Sequence, residues 1–219
     1  MRILITAGPT REFIDPVRFI SNRSTGKMGY AIAEAAIAAG HEVILVSGPV
    51  SLEPPAGLFK FVSIVSALDL LEAVQRELPD TEALVMTAAV ADFRPKQQAH
   101  QKLHKKATDG RDAMPTCLEL TPNPDILKTI RSLKENRIFV GFAAETNDVI
   151  SSATDKLVQK GLDLLVANDV TKPGAGFGTD TNLVTLLEPN QAPVSLPLQS
   201  KRSIGNEIVR FLERKHPIV

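Results

Sequence analysis

The sequence predicts a doubly wound α/β fold: a mainly parallel sheet with helices on both faces and a small C-terminal β extension. Three observations predict it. Short, continuous runs of Ile, Val, Leu and Ala recur at residues 2–6, 42–47, 83–87, 138–143 and 162–167, as expected for strands buried on both faces. Helix-length segments with capping signals lie between them. Several strands end in clusters of small or polar residues, at the edge where open α/β sheets place ligands.

Residues 2–6 (Arg-Ile-Leu-Ile-Thr) form the opening strand, broken by Ala7-Gly8-Pro9-Thr10. In an ordinary dinucleotide-binding unit the helix follows within a few residues. Here residues 11–20 intervene, and so long a connection in a compact domain is usually functional. Then comes Ser21-Asn22-Arg23-Ser24-Thr25-Gly26-Lys27-Met28-Gly29-Tyr30, leading into a helix over 30–39. Hydroxyls, an amide and two glycines before a helix make an anion site, because glycine allows close backbone approach and the first helical amides are unpartnered. The same residues would also serve as a plain helix cap. Neither familiar phosphate template fits. Gly8 has no glycine two residues on, as the dinucleotide fingerprint requires, and Lys27 is followed by Met28 where a P-loop needs Ser or Thr.

The second strand, 42–47, ends at Gly48-Pro49, and residues 50–57 form a loop. A short strand over 61–65 leads to Ser66-Ala67-Leu68-Asp69, a capping box for a helix to Glu77. The strand 83–87 completes a β-α-β-α-β alternation, which is Rossmann-like. Ala88-Ala89-Val90-Ala91-Asp92 stands at its carboxyl end. Residues 96–111 then turn polar and basic, with Lys96, His100, Lys102, His104, Lys105, Lys106 and Arg111. They read either as a solvated loop or as a flap over about 94–114 that carries lysines over a polyphosphate. Asp125 caps a helix over 126–134. After the strand 138–143 come Ala144-Glu145-Thr146, an amphipathic helix over 147–160 and the C-terminal Gly161. The strand 162–167 ends at Asn168-Asp169. A glycine-rich stretch at 172–178, β runs at 182–187 and 192–198, and a helix over 203–213 close the chain. No linker or repeat divides it, so residues 1–219 read as one domain.

Composition excludes several classes. Lys+Arg and Asp+Glu number 25 each, so no overall field draws the chain to nucleic acid or an anionic membrane. Hydrophobic residues at 43% and charged residues at 23% describe an ordinary globule with a core. The single Cys117 allows no intrachain disulfide. With no leader and no apolar span, the expected location is the cytoplasm.

The polar strand ends at 87–92, 142–146 and 168–169, with the helix start at 21–30, would meet on one sheet edge and hold a phosphorylated ligand. Ser21-Asn-Arg-Ser-Thr-Gly-Lys-Met-Gly29, Ala88-Ala-Val-Ala-Asp92, Lys102-Leu-His-Lys105, Asn123-Pro-Asp-Ile126, Val140-Gly-Phe-Ala-Ala-Glu-Thr146 and Ala167-Asn-Asp-Val170 occur in that order. Together they resemble the phosphopantothenate–cysteine ligase family over essentially the whole chain. In many bacteria this domain is fused behind a flavin-dependent decarboxylase. The resemblance therefore implies a stand-alone ligase or an excised domain, with a separate decarboxylase as a possible partner.

The resemblance implies two half-reactions. The carboxylate of 4′-phosphopantothenate attacks the α-phosphate of CTP (ATP in the eukaryotic branch), giving an acyl-nucleotidylate and pyrophosphate with Mg²⁺. The amine of cysteine then attacks the acyl carbon and releases the nucleoside monophosphate. The implied catalytic residues are Asn22, which holds the acyl intermediate for the cysteine step, and Lys102, a charge aimed at the triphosphate. The family's Lys-Ile-Lys-Lys reads Lys102-Leu103-His104-Lys105 here, so the register against Lys105 or Lys106 stays open. Nucleotide contacts are implied for Gly8, Ser24, Gly26, Gly29, Met86, Thr87, Ala88, Asp92, Asn123, Pro124, Asp125, Ile126, Phe142, Lys156, Lys160 and Asn168. Substrate contacts are implied for Arg18, Asn22, Ala88, Ala89 and Asp92. No residue is assigned as a metal ligand. Family members are homodimers with sites completed by the partner, and the β runs at 182–198 are a candidate interface.

Two other functions compete. A nicotinamide-dependent reductase would need the absent glycine fingerprint and a Tyr-x-x-x-Lys pair, but Glu34 follows Tyr30 at that spacing. A nucleotide-binding regulatory domain would bind nucleotide without releasing pyrophosphate.

Overall fold

The computed structural model describes residues 1–105, 117–145, 149–169, 172 and 174–216. The chain opens with β1 (Arg2–Ala7), β2 (Arg11–Phe13), β3 (Phe19–Ser21), α1 (Lys27–Ala38), β4 (Glu42–Ser47), β5 (Lys60–Ser63) and α2 (Ala67–Glu77). It continues through β6 (Ala83–Met86), β7 (Phe93–Pro95), β8 (Leu120–Pro122), α3 (Ile126–Thr129), β9 (Ile138–Glu145), α4 (Val149–Gln159) and β10 (Leu164–Asp169). The last elements are β11 (Thr181–Asn182), β12 (Val184–Leu187), β13 (Val194–Ser195), β14 (Gln199–Ser200) and α5 (Lys201–Lys215).

The central sheet runs β13-β12-β10-β9-β6-β1-β4-β5. Strands β10 through β5 are mutually parallel, and β12 and β13 add an antiparallel edge. The expected doubly wound fold is thus observed. Alternate residues of β1 separate the two cores: Ile3 and Ile5 pack with α1 and α5, whereas Leu4 faces α2, α3 and α4. Strand order reverses between β1 and β6, which makes their carboxyl ends the topological switch point.

Local signals are realised as expected where both partners lie close in sequence. Ser66 and Asp69 form the reciprocal capping box of α2, Asp125 caps α3, and Gly161 follows α4 with φ 63°. Other boundaries differ. Helix α1 begins at Lys27 rather than residue 30, because Gly26 takes φ 78° as its N-cap and its carbonyl accepts the Tyr30 amide at 3.1 Å. The helix expected over 126–134 is a short α-turn followed by a 3₁₀ turn at Arg131–Leu133, with Ile130 at φ −90°, ψ 3° between them. The β run expected at 182–187 divides: Thr181–Asn182 pairs with β14, while Val184–Leu187 joins the main sheet.

The long connection at 11–20 is a β-hairpin, β2 against β3. Phe13 and Phe19 meet edge-to-face at 5.6 Å, and the Arg11 guanidinium lies 4.6 Å from the Phe19 ring centroid. Buried Asp15 closes its turn by accepting the amides of Val17 and Arg18, both at 2.8 Å. Buried Glu12 docks the hairpin on α2 by accepting the Ala67 amide at 3.0 Å. The first part of the expected flap is tied to this hairpin: Ala99 donates to the Ile14 carbonyl at 2.9 Å. Lys106, Arg111, the rest of the flap to residue 114, Thr146, Asn147 and Val170 lie outside the described residues.

Candidate active site at the switch point

The cleft lies where β1 stops hydrogen-bonding as a sheet strand and the chain beyond it still runs beside the chain beyond β6. Ala89 donates to the Gly8 carbonyl at 2.9 Å, and Thr10 donates to the Ala89 carbonyl at 3.2 Å. Two buried threonines hold the same loop from beneath. Thr6 Oγ1 accepts the Ala88 amide at 3.1 Å, and Thr10 Oγ1 accepts the Ala91 amide at 3.0 Å. Thr87 Oγ1 donates to the Thr6 carbonyl. Residues 87–91 therefore form a fixed floor, with its bonds supplied by the buried end of β1 and the chain just beyond it.

Asn22 crosses that floor. Its Nδ2 donates to the carbonyls of Ala89 at 3.1 Å and Val90 at 3.0 Å. Two carbonyl acceptors can be met only by the NH₂ end, so the amide orientation is set and Oδ1 is left to accept from a ligand. Asn123 braces the other side: Nδ2 donates to the Ala91 carbonyl at 2.8 Å, and Oδ1 accepts from Arg94 at 3.0 Å.

The cleft encloses about 550 Å³, within the range of small-molecule sites. Asn22, Gly26, Met86, Thr87, Ala88, Ala89, Asp92, Asn123, Pro124, Asp125, Ile126, Phe142, Lys156, Lys160 and Asn168 line it, all anticipated from sequence. Asn168, at the carboxyl end of β10, is 8% exposed and its Oδ1 is buried without a hydrogen-bond partner. A buried, unsatisfied acceptor in a cleft wall fits a donor brought by the ligand. Lys160 Nζ stands 3.7 Å from the Asp125 carboxylate, which also caps α3.

Gly8, Arg18, Ser24, Gly29 and Lys102 are not among the lining residues. Gly29 is a packing residue: a Cβ there would lie 2.6 Å from both Ala7 Cβ and Thr87 Oγ1, so only glycine lets α1 approach the floor. Ser24 Oγ accepts the Gly26 amide at 3.3 Å and so braces the start of α1. Gly8, at φ 74°, contributes its carbonyl to the floor. The Arg18 guanidinium is committed to buried Asp15 and to the Leu103 carbonyl at 3.0 Å. Arg18 and the backbone amides of residues 17, 18 and 103 hold the Asp15 carboxyl well below the usual carboxylate range, against the opposing pull of burial. Leu103 is gripped at both backbone groups, its amide donating to Asp15 at 3.2 Å, and Lys102 is the residue just before it.

Thr25 and Lys27, within the stretch expected to bind an anion, also line the cleft, and so do Gly176, Phe177, Asn182 and Lys201, which sequence reasoning did not place at the site. The glycine-rich stretch at 172–178 was visible but its place was not, since Lys27 and Asp180 are 153 positions apart and meet at 2.7 Å. Among the described residues no three His, Cys, Asp or Glu side chains form a metal cage. Asp92 and Asp125 are the aspartates that line the cleft. No described helix is long and apolar enough to cross a membrane.

The model of the DNA/pantothenate metabolism flavoprotein C-terminal domain matches residues 1–215. The chain is 50% identical over 208 residues to the coenzyme A biosynthesis bifunctional protein CoaBC of Bacillus subtilis, covering 95% of this chain and 50% of that protein. It is 44% identical over 221 residues to the CoaBC protein of Escherichia coli K12, covering 99% and 53%. The chain thus spans about half the length of the curated relatives it matches. Among solved structures, the C-terminal domain of a CoaBC protein superposes with a TM-score of 0.79 at 45% identity, covering 97% of this chain and 96% of that one. A Cab2 mutant in complex with phosphopantothenate-cysteine shares the fold, with a TM-score of 0.76 at 19% identity.

Proposed function

Because the chain belongs to the family of the DNA/pantothenate metabolism flavoprotein C-terminal domain, we propose that it is the ligase that joins 4′-phosphopantothenate and cysteine in coenzyme A biosynthesis. Nearly half of its residues match CoaBC proteins, and the matched solved domain is the C-terminal part of one. The observation that carries the reading is the convergence of Asn22, Asp92 and Asn168, from three separate strand ends, on one cleft beside the start of α1.

In this reading the carboxylate of 4′-phosphopantothenate attacks the α-phosphate of CTP. The bond to pyrophosphate breaks as the new P–O bond forms, giving an acyl-cytidylate. The cysteine amine then attacks the acyl carbon, and CMP leaves with the bonding pair. A cleft for this chemistry has to align two anions and offset charge on phosphate, with little acid–base machinery. The positive end of α1, Lys156 and Lys160 supply charge at the cleft. Lys102 is assigned to the first step from beyond the lining, and Oδ1 of Asn22 is the acceptor that orients the incoming amine. Mg²⁺, when bound, would neutralise phosphate charge. By analogy with the family the active unit is a homodimer, and CTP is preferred to ATP.

Incubation with 4′-phosphopantothenate, cysteine, Mg²⁺ and either CTP or ATP tests the assignment. Pyrophosphate release that depends on 4′-phosphopantothenate is expected, faster with CTP. No release with either nucleotide would refute ligase activity and leave a regulatory nucleotide-binding domain as the better account.

A further inference from the structure

Lys201 is the first residue of α5 and is 5% exposed. A buried ammonium is costly unless its hydrogens are all used. Nζ of Lys201 donates to the carbonyls of Gly176 at 3.0 Å, Phe177 at 3.3 Å and Thr179 at 2.6 Å. Two side chains at the start of α1 grip the same segment: Thr25 Oγ1 donates to the Phe177 carbonyl at 2.6 Å, and Lys27 Nζ to the Gly178 carbonyl at 3.1 Å. Four consecutive carbonyls, 176 to 179, are thus drawn onto side chains of α1 and α5.

Covalent geometry then decides where the intervening amides go. In a trans peptide the N–H lies opposite the C=O, and this chain has no cis bonds among its described residues. The amides of Phe177, Gly178, Thr179 and Asp180 therefore turn away from the cations, and none donates to another described residue. Gly176 and Phe177 line the cleft beside the unpartnered amides that open α1. Successive free backbone amides form an anion-binding concavity.

We propose that Lys201 is a positioning residue that holds residues 176–180, of which Gly176 and Phe177 stand in the cleft wall, so that the amides of this stretch donate to phosphate oxygens of the nucleotide. Lys201 also lines the cleft, but its three hydrogens are spent on the loop carbonyls, so in this proposal it acts through the loop. The inference rests on the nucleotide reading of the cleft. Burial lowers the Lys201 ammonium to about 8; Lys27 on α1 acts in the same sense, and Asp180 on the loop opposes it. Loss of its proton leaves two donors for three carbonyls, so the wall loosens as pH rises past that value.

Amide hydrogen exchange of the whole chain, with and without CTP, tests this. CTP should slow exchange at residues 177–180 by roughly tenfold in the unaltered protein. K201M should lose that protection and bind CTP about tenfold more weakly. K201R, which does not titrate, should keep its CTP affinity between about pH 7 and about pH 9, while that of the unaltered protein falls. The inference is overturned if CTP binds yet leaves 177–180 unprotected, if K201M binds CTP like the unaltered protein, or if the unaltered protein's affinity stays flat over that range. Absence of any CTP or ATP binding to the unaltered protein would instead reject the nucleotide reading itself, and the inference with it.

Discussion

The side-chain amide of Asn22 donates to the backbone carbonyl of Val90 at 3.0 Å, while its second hydrogen goes to the neighbouring Ala89 carbonyl. The residue assigned to the intermediate thus also clamps the floor under it. In Asn22→Asp a carboxylate would replace both donors and face two carbonyl oxygens. The variant is expected to form pyrophosphate but to make product about 100-fold more slowly, so that acyl-nucleotide accumulates. The ratio of pyrophosphate to product, followed over time, checks this; equal losses in both would contradict the assignment.

Lys102→Gln should abolish pyrophosphate release while leaving CTP binding within about threefold, since charge on the transferring phosphate matters more in the transition state than in the ground state. Equilibrium titration beside the pyrophosphate assay separates the two effects. A variant that loses CTP binding outright would show Lys102 to be a ground-state anchor.

Thr6→Val keeps shape but removes the hydroxyl that accepts the Ala88 amide and lies 3.3 Å from Met86 Sδ. Leaving that partly buried amide unpaired should cost about 1 kcal/mol. Denaturant midpoints at an unchanged m-value would measure the loss, and KM values for nucleotide and acid should rise with it.

Gly29→Ala forces a methyl group to within 2.6 Å of Ala7 Cβ and Thr87 Oγ1. Helix α1 must shift off the floor, at an expected cost of about 1–3 kcal/mol. Thermal unfolding checks the stability. A stable, fully active variant would mean that the helix shifts freely.

Asp15 supplies the pH dependence. Its folded carboxyl is held below the ordinary value by Arg18 and three amides. The folded state therefore binds that proton less readily than the unfolded chain, and its contribution is present above the unfolded pKa near 4 and is lost as pH falls below it. Asp15→Asn should be less stable at neutral pH and should lose less stability than the unaltered protein on acidification. Parallel acid-unfolding curves would show the opposite.

What the sequence determined by itself was local. Five buried strands, the caps at Ser66, Asp125 and Gly161, and the polar strand ends follow from periodicity and from partners a few residues apart, and those strand ends fall on one edge because parallel strands share a direction. The tertiary structure decided everything that depends on distant pairing. Residues 11–21 fold back as a hairpin because three-residue strands carry too little pattern to announce themselves, and their partners are chosen by Asp15, Glu12 and the surface of α2. Arg18 looks like a free anion binder in sequence, yet it is bound to a buried carboxylate and to Leu103, 85 positions away. Lys201 gave no signal at all, because a lysine at a helix start is ordinary until three carbonyls from a glycine-rich loop close around it. Hydrophobic pattern places an element, but the donors and acceptors that complete a site are matched only when the chain is packed.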